Sequence, residues 1–172
     1  IINYDNNKID GEIKEYDSLG NIKLVCSYYQ DLQVGPVKKY IDNTISEYSF
    51  YNFEKEELFS IKYDTLTNKP IEKIYDTKFY HYYTYNSNDL ASDKQLIDLL
   101  IYKLNPPKLG FNYNVYIIDS SYKTITELKP FKDFPIWRIY SLDYSALKKG
   151  ESFAIKLESE NEFIMENKKA IM

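Results

Sequence analysis

Arginine, histidine and cysteine are nearly missing from this chain: Arg138, His81 and Cys26 are the only ones among 172 residues. Each scarcity removes a class of chemistry. A single arginine leaves little for bidentate phosphate recognition. A net charge of −4 with a pI near 5.2 also sets the surface against a nucleic-acid backbone, so no nucleic-acid partner is expected. The one histidine, inside an aromatic run, has no serine or cysteine in a nucleophile-elbow context near it in sequence. One histidine and one cysteine cannot build a zinc site unless carboxylates do most of the ligation, and no metal-ligand spacing occurs. A lone cysteine forms no intramolecular disulfide and so reveals nothing of redox compartment. Cys26 alternates with Ile22, Leu24 and Tyr28 and is expected to be a buried core thiol. Only five glycines are present, and they form neither G-x-G-x-x-G nor a phosphate loop, so no cofactor is expected. No stretch of 18 apolar residues exists, which argues against a transmembrane segment.

What the chain has in quantity is tyrosine. Nineteen Tyr, nine Phe and one Trp make 17% of the residues aromatic, within a composition that is 44% hydrophobic and 28% charged. That balance is globular, and tyrosine suits a strand, where the ring packs on a pleated surface while the hydroxyl reaches water or a partner. The 26 Asp and Glu residues include two clusters, Glu54, Glu56 and Glu57, and Glu158, Glu160 and Glu162, both read as exposed. No carboxylate pair is singled out as acid and base. The expectation is a protein without catalytic residues, with a carboxylate-based hydrolase as the enzymatic alternative.

The first 75 residues carry a degenerate repeat. Gly11 precedes Tyr16 by five residues, Gly35 precedes Tyr40 by five, and a tyrosine recurs at Tyr63, where the glycine is gone. A polar turn follows each tyrosine: Asp17 to Asn21, Asp42 to Thr44, Thr65 to Asn68. The Asp42-Asn43 pair suits a tight hairpin with positive φ. Such a unit, with two short strands each, indicates a sheet of stacked hairpins. The runs Asp10-Gly-Glu-Ile-Lys-Glu-Tyr16 with Gly20-Asn-Ile-Lys23, and Gly35-Pro-Val-Lys-Lys-Tyr40, resemble MORN-type repeats, in particular those of the bacterial MORN-repeat antitoxin family. The resemblance covers residues 4–76 and implies hairpins; it does not imply a particular activity.

From Phe79 to Tyr85 the chain is aromatic on both faces, as a strand at an interface would be. Residues 92–104 fit two readings. Ser92 with Gln95 makes a capping box ahead of leucines at helical spacing, while Ile97, Leu99 and Ile101 alternate as in a doubly buried strand; strand is favoured. About seven strands fit into the last 95 residues, spaced as in a sandwich. The segment Leu147-x-x-Gly150-x-x-Phe153-x-Ile155-x-Leu157 resembles the approach to the penultimate strand of fibronectin type III and immunoglobulin-like domains. Phe153 stands where those families often place a tyrosine, so the likeness is to the broad sandwich architecture.

The fold expected is therefore all-β: a stacked-hairpin, MORN-like sheet over residues 1–77, then an Ig-like β-sandwich over 78–172. The expected function is a non-catalytic protein-interaction or cell-envelope binding module with a protein partner. The repeat resemblance adds an alternative, an antitoxin or immunity protein that neutralises a toxin by surface contact. Ile1 rather than Met opens the sequence. That fits a removed signal segment or a lipid anchor upstream of the chain, as in a mature lipoprotein, and equally a trimmed start. Localisation in the envelope or outside the cell is expected, with the cytoplasm as alternative. Candidate contact residues are the repeat tyrosines, Tyr16, Tyr40 and Tyr63 with Tyr28 and Tyr51 on the same sheet, and Tyr80 and Tyr82 in the aromatic run.

Overall fold

The computed structural model describes residues 2–75, 80–86, 95–109, 111–159 and 169–171. The protein is all-β. Its chain divides into two compact units: Ile1–Phe79 with Leu104–Pro107, and Tyr80–Lys103 with Lys108–Met172.

The first unit opens with a small hairpin, β1 (Tyr4–Asp5) and β2 (Lys8–Ile9). Six antiparallel strands follow and neighbour one another in chain order: β3 (Gly11–Tyr16), β4 (Ile22–Tyr29), β5 (Leu32–Ile41), β6 (Thr44–Tyr51), β7 (Glu57–Tyr63) and β8 (Pro70–Tyr75). Two kinds of turn shape the small hairpin and the meander. Asn6-Asn7, Gln30-Asp31 and Asp42-Asn43 are two-residue loops in which both residues have positive φ, the conformation whose twist matches the flanking strands. Elsewhere a side chain folds the turn. Asp17 Oδ1 accepts from the backbone N–H of Leu19 and Asn21, and Asp64 Oδ1 from those of Leu66 and Thr67, all at 2.8–2.9 Å. These bonds favour the charged carboxylate and hold both groups below the usual Asp range.

The 24-residue spacing has a structural counterpart. Gly11 and Gly35 take nearly the same positive φ, 98° and 93°, and each lies opposite a tyrosine of the next-paired strand, Tyr28 and Tyr51 respectively. Tyr16, Tyr40 and Tyr63 each follow a register shift, where the partner strand carries one extra residue. The third unit has lost its glycine but keeps this bulge.

Register fixes the two faces. Val25, Lys38, Tyr48 and Ile61 are successive cross-strand neighbours on one; Cys26, Val37, Ser49 and Ser60 on the other. The first face carries the large buried side chains Tyr48, Phe50, Phe59 and Ile61, with Tyr48 and Phe59 edge to face at 6.0 Å. Leu104–Pro107 completes this core. Tyr48 Oη accepts from the Asn105 N–H (3.0 Å), Tyr63 Oη donates to the Pro107 carbonyl (2.9 Å), and burial drives both phenol pKa values up. The second face is lined with small groups. Ser49 and Ser60 share a hydrogen bond there at 3.2 Å, and Cys26 is the buried thiol expected, its pKa raised by desolvation and then by Glu15.

The second unit holds two four-stranded antiparallel sheets. Its strands are β9 (Tyr80–Asn86), β10 (Gln95–Tyr102), β11 (Phe111–Ile118), β12 (Thr124–Leu128), β13 (Lys132–Asp133), β14 (Trp137–Asp143), β15 (Ser152–Ser159) and β16 (Lys169–Ile171), with a 3-10 turn at Tyr144–Ala146. One sheet has the order β13-β14-β10-β9, the other β12-β11-β15-β16. The chain therefore changes sheet after β10, after β12 and after β14. Residues 95–102 form the central strand β10, paired on both edges. Leu99 and Ile101 are buried on one of its faces and Tyr102 on the other, which explains why the segment lacks a simple alternation. Arg138 and Lys103 both pair with Asp133. Burial pushes that carboxyl up, but these two cations outweigh it and hold it low.

Candidate functional site

The repeat that shapes the first sheet also opens a recess in it. Tyr28 on β4 and Tyr51 on β6 stand either side of β5, where Gln33 lies opposite Tyr28 and Gly35 opposite Tyr51. Gly35 offers no side chain between them. The result is a half-open cavity of about 440 Å³ lined by Tyr28, Asp31, Gln33, Tyr51 and Lys55.

Two turns position the polar groups. Asp31 ends the Gln30-Asp31 turn; its Oδ1 accepts from the Ile9 N–H at 2.7 Å and its own N–H bonds back to the Ile9 carbonyl at 2.9 Å. The second carboxylate oxygen of Asp31 has no partner among the described residues. Lys55 is carried on a turn built by the fully buried Asn52. Asn52 Oδ1 accepts from the N–H groups of Glu54 and Glu56, both at 2.9 Å, and Asn52 Nδ2 donates to Glu56 Oε2 at 3.0 Å. This lattice holds Lys55 at a φ of 64°, a backbone state that lysine rarely adopts. The Lys55 ammonium, the Gln33 amide and the Tyr28 hydroxyl make no hydrogen bond or ion pair among the described residues.

Tyr51 differs from Tyr28. Its Oη donates to Glu57 Oε2 at 2.9 Å, and burial together with that carboxylate pushes its pKa up to about 12. Burial, then the neighbouring Cys26 and Glu15, also raises Tyr28. Both phenols are neutral at physiological pH. One carboxylate and one ammonium leave the lining with no net charge. No protein-family model, curated protein or solved structure matches this chain.

The repeat tyrosines are split between environments. Tyr16 is 45% exposed at the end of β3, Tyr40 is half-buried, and Tyr63 is buried on the core side with its hydroxyl committed to Pro107. Tyr63 follows Lys62, the partner of Glu47, and so lies on the face opposite Tyr51. Tyr28 and Tyr51 are the pair that the fold brings to one cavity. Tyr80 and Tyr82 lie in β9, opposite Ile101 and Leu99, and their side chains fall outside the described residues, as does that of His81. Glu54, Glu56 and Glu57 are exposed; Glu160 and Glu162 lie outside the described residues. Among the described residues no group of three or more His, Cys, Asp or Glu could hold a metal ion, and no helix is long and apolar enough to cross a membrane. Asp31, Gln33 and Lys55 were not legible as site residues. Their one signal is that they sit in or beside the turns at the end of the sheet where both repeat glycines face a tyrosine.

Proposed function

We propose that this chain is a non-catalytic binding module of the cell envelope, with the slot between Tyr28 and Tyr51 as its recognition site. The observation that carries the reading is that Lys55, Gln33, Tyr28 and Asp31, each with a polar side-chain atom that has no partner among the described residues, line one cavity together with Tyr51. Aromatic walls with a few fixed polar groups are how proteins hold a small ligand or one protruding group of a larger one. The architecture agrees with this use. The consecutive antiparallel hairpins of the first unit support a MORN-like reading. Lettered in chain order with C′ after C, the second unit has the orders A-B-E-D and C′-C-F-G, which supports an immunoglobulin-like arrangement and makes β15 its penultimate strand.

The test is sedimentation of the protein with purified bacterial cell-envelope fractions. Wild type is expected to co-sediment saturably, and Tyr51→Ala and Lys55→Ala to lose about tenfold or more in apparent affinity, the equivalent of about 1.4 kcal/mol. Equal sedimentation of all three proteins refutes the assignment of the slot.

The opposite end of the same sheet favours a second reading, neutralisation of a protein partner by surface contact, as in an antitoxin. Leu19 (85% exposed) and Leu66 (95% exposed) lie in turns at that end, and exposed Ile41 ends β5 beside the turn between them, alongside Asp17, Asp42 and Asp64. Loss of partner neutralisation in Leu19→Ser/Leu66→Ser, with the slot variants unaffected, selects this reading over the first.

A further inference from the structure

The slot's volume, charge and hydrogen-bonding groups together narrow its ligand. We infer that it takes one pyranose ring of a neutral glycan, held between Tyr28 and Tyr51; this rests on the reading of the slot as a binding site.

Tyr28 and Tyr51 stand two strand spacings apart and are staggered along β5 by the two residues from Gln33 to Gly35, so that their Cα atoms lie roughly 12 Å from one another. A volume of about 440 Å³ lies at the small end of ligand cavities, enough for one or two sugar rings.

The polar groups agree. Sugar hydroxyls both donate and accept, and they require both kinds of partner around the ring edge. Lys55 donates, the free oxygen of Asp31 accepts, and the Gln33 amide and Tyr28 hydroxyl do both. With Asp31 and Lys55 cancelling, a phosphate or carboxylate ligand would gain from one and be repelled by the other. A neutral polyol has no such conflict. The partly open mouth admits a ring within a longer chain, so an oligosaccharide fits as well as a monosaccharide.

The roles of the two tyrosines differ, and this gives the test its discrimination. Tyr51 commits its hydroxyl to Glu57 and is left with its ring to offer a ligand, whereas the Tyr28 hydroxyl has no partner among the described residues. The full chain is titrated with cellotetraose, chitotetraose and maltotetraose, and with the capped peptide acetyl-Gly-Phe-Gly-amide, while amide and tyrosine-ring resonances are followed by NMR. At least one tetrasaccharide is expected to shift Tyr28, Gln33, Tyr51 and Lys55 saturably. Tyr51→Phe should bind within about twofold of wild type, Tyr28→Phe about two- to fivefold more weakly, and either alanine variant at least about tenfold more weakly. Gln33→Ala and Lys55→Ala, which break no hydrogen bond or ion pair described here, should lose about three- to tenfold without loss of fold. If the phenylalanine peptide shifts these residues and no saccharide does at 10 mM, the ligand class is overturned while the binding-module reading stands. If no probe shifts them and Tyr51→Ala sediments with envelopes as wild type does, both fall.

Discussion

Replacing Tyr48 by phenylalanine removes one oxygen atom from the first unit's core and leaves the ring packed against Phe59. The oxygen accepts the Asn105 N–H at 3.0 Å, so the change strands a backbone donor without opening a cavity. A stranded donor costs about 1–3 kcal/mol when water cannot reach it. Asn105 itself is exposed, and water can partly replace the phenol. The loss should therefore sit at the low end, about 1 kcal/mol. With a urea slope near 2 kcal/mol per molar, the midpoint should fall by about 0.5 M. Amide exchange at Asn105 should accelerate in the same variant. Tyr63→Phe should behave alike, because its hydroxyl serves the Pro107 carbonyl. The double variant should lose less than the two singles together, by about 0.5 kcal/mol or more, since both bonds hold one four-residue segment. A midpoint shift below about 0.1 M with unchanged Asn105 exchange would refute the view that these phenols anchor Leu104–Pro107.

Three further outcomes follow from other features. Gly35→Ala should cost roughly 1–2 kcal/mol by urea unfolding, because an L side chain is strained at a φ of 93°, and Gly35→Asn should cost less. Asn52→Ala should cost about 2 kcal/mol or more, since it leaves two backbone N–H groups unserved from a fully buried position; resistance to proteolysis between residues 52 and 57 should fall with it. Stability should be flat through neutral pH and decline above pH 10. There the unfolded tyrosines ionise while Tyr48, Tyr63 and Tyr51, whose folded pKa values are raised, stay protonated, Tyr51 up to about 12. Alkaline titration followed by tyrosine absorbance should show this late-ionising class, and its absence would contradict the burial of these phenols.

Local chemistry makes much of the architecture readable in the sequence. The glycine–tyrosine spacing marked a sheet of stacked hairpins, and Asp42-Asn43 marked a two-residue turn because short polar side chains tolerate positive φ. The strand assignment for residues 95–102 rested on a thinner signal, since a strand buried on both faces loses the alternation that separates it from a helix. The run Asn105-Pro106-Pro107 cannot continue that strand, but nothing in its sequence marks it as core of the first unit, because proline pairs announce local geometry and carry no address. The slot was half visible. Its aromatic walls recur with the repeat, while Asp31 and Lys55 reach it through turns whose conformation depends on Ile9 and Asn52, residues with no distinguishing pattern of their own.

The interruption of the first unit by later chain has a consequence during synthesis. Strand β8 ends at Tyr75, yet the carbonyl and N–H that satisfy Tyr63 and Tyr48 arrive about 30 residues later. At a translation rate of roughly 5–20 residues per second, the six hairpin strands emerge a few seconds ahead of their last core segment. During that interval two phenol hydroxyls lack their native partners. A nascent chain arrested between residues 75 and 104 should thus be held open to chaperones and proteases, and release from that state should coincide with the emergence of Pro107.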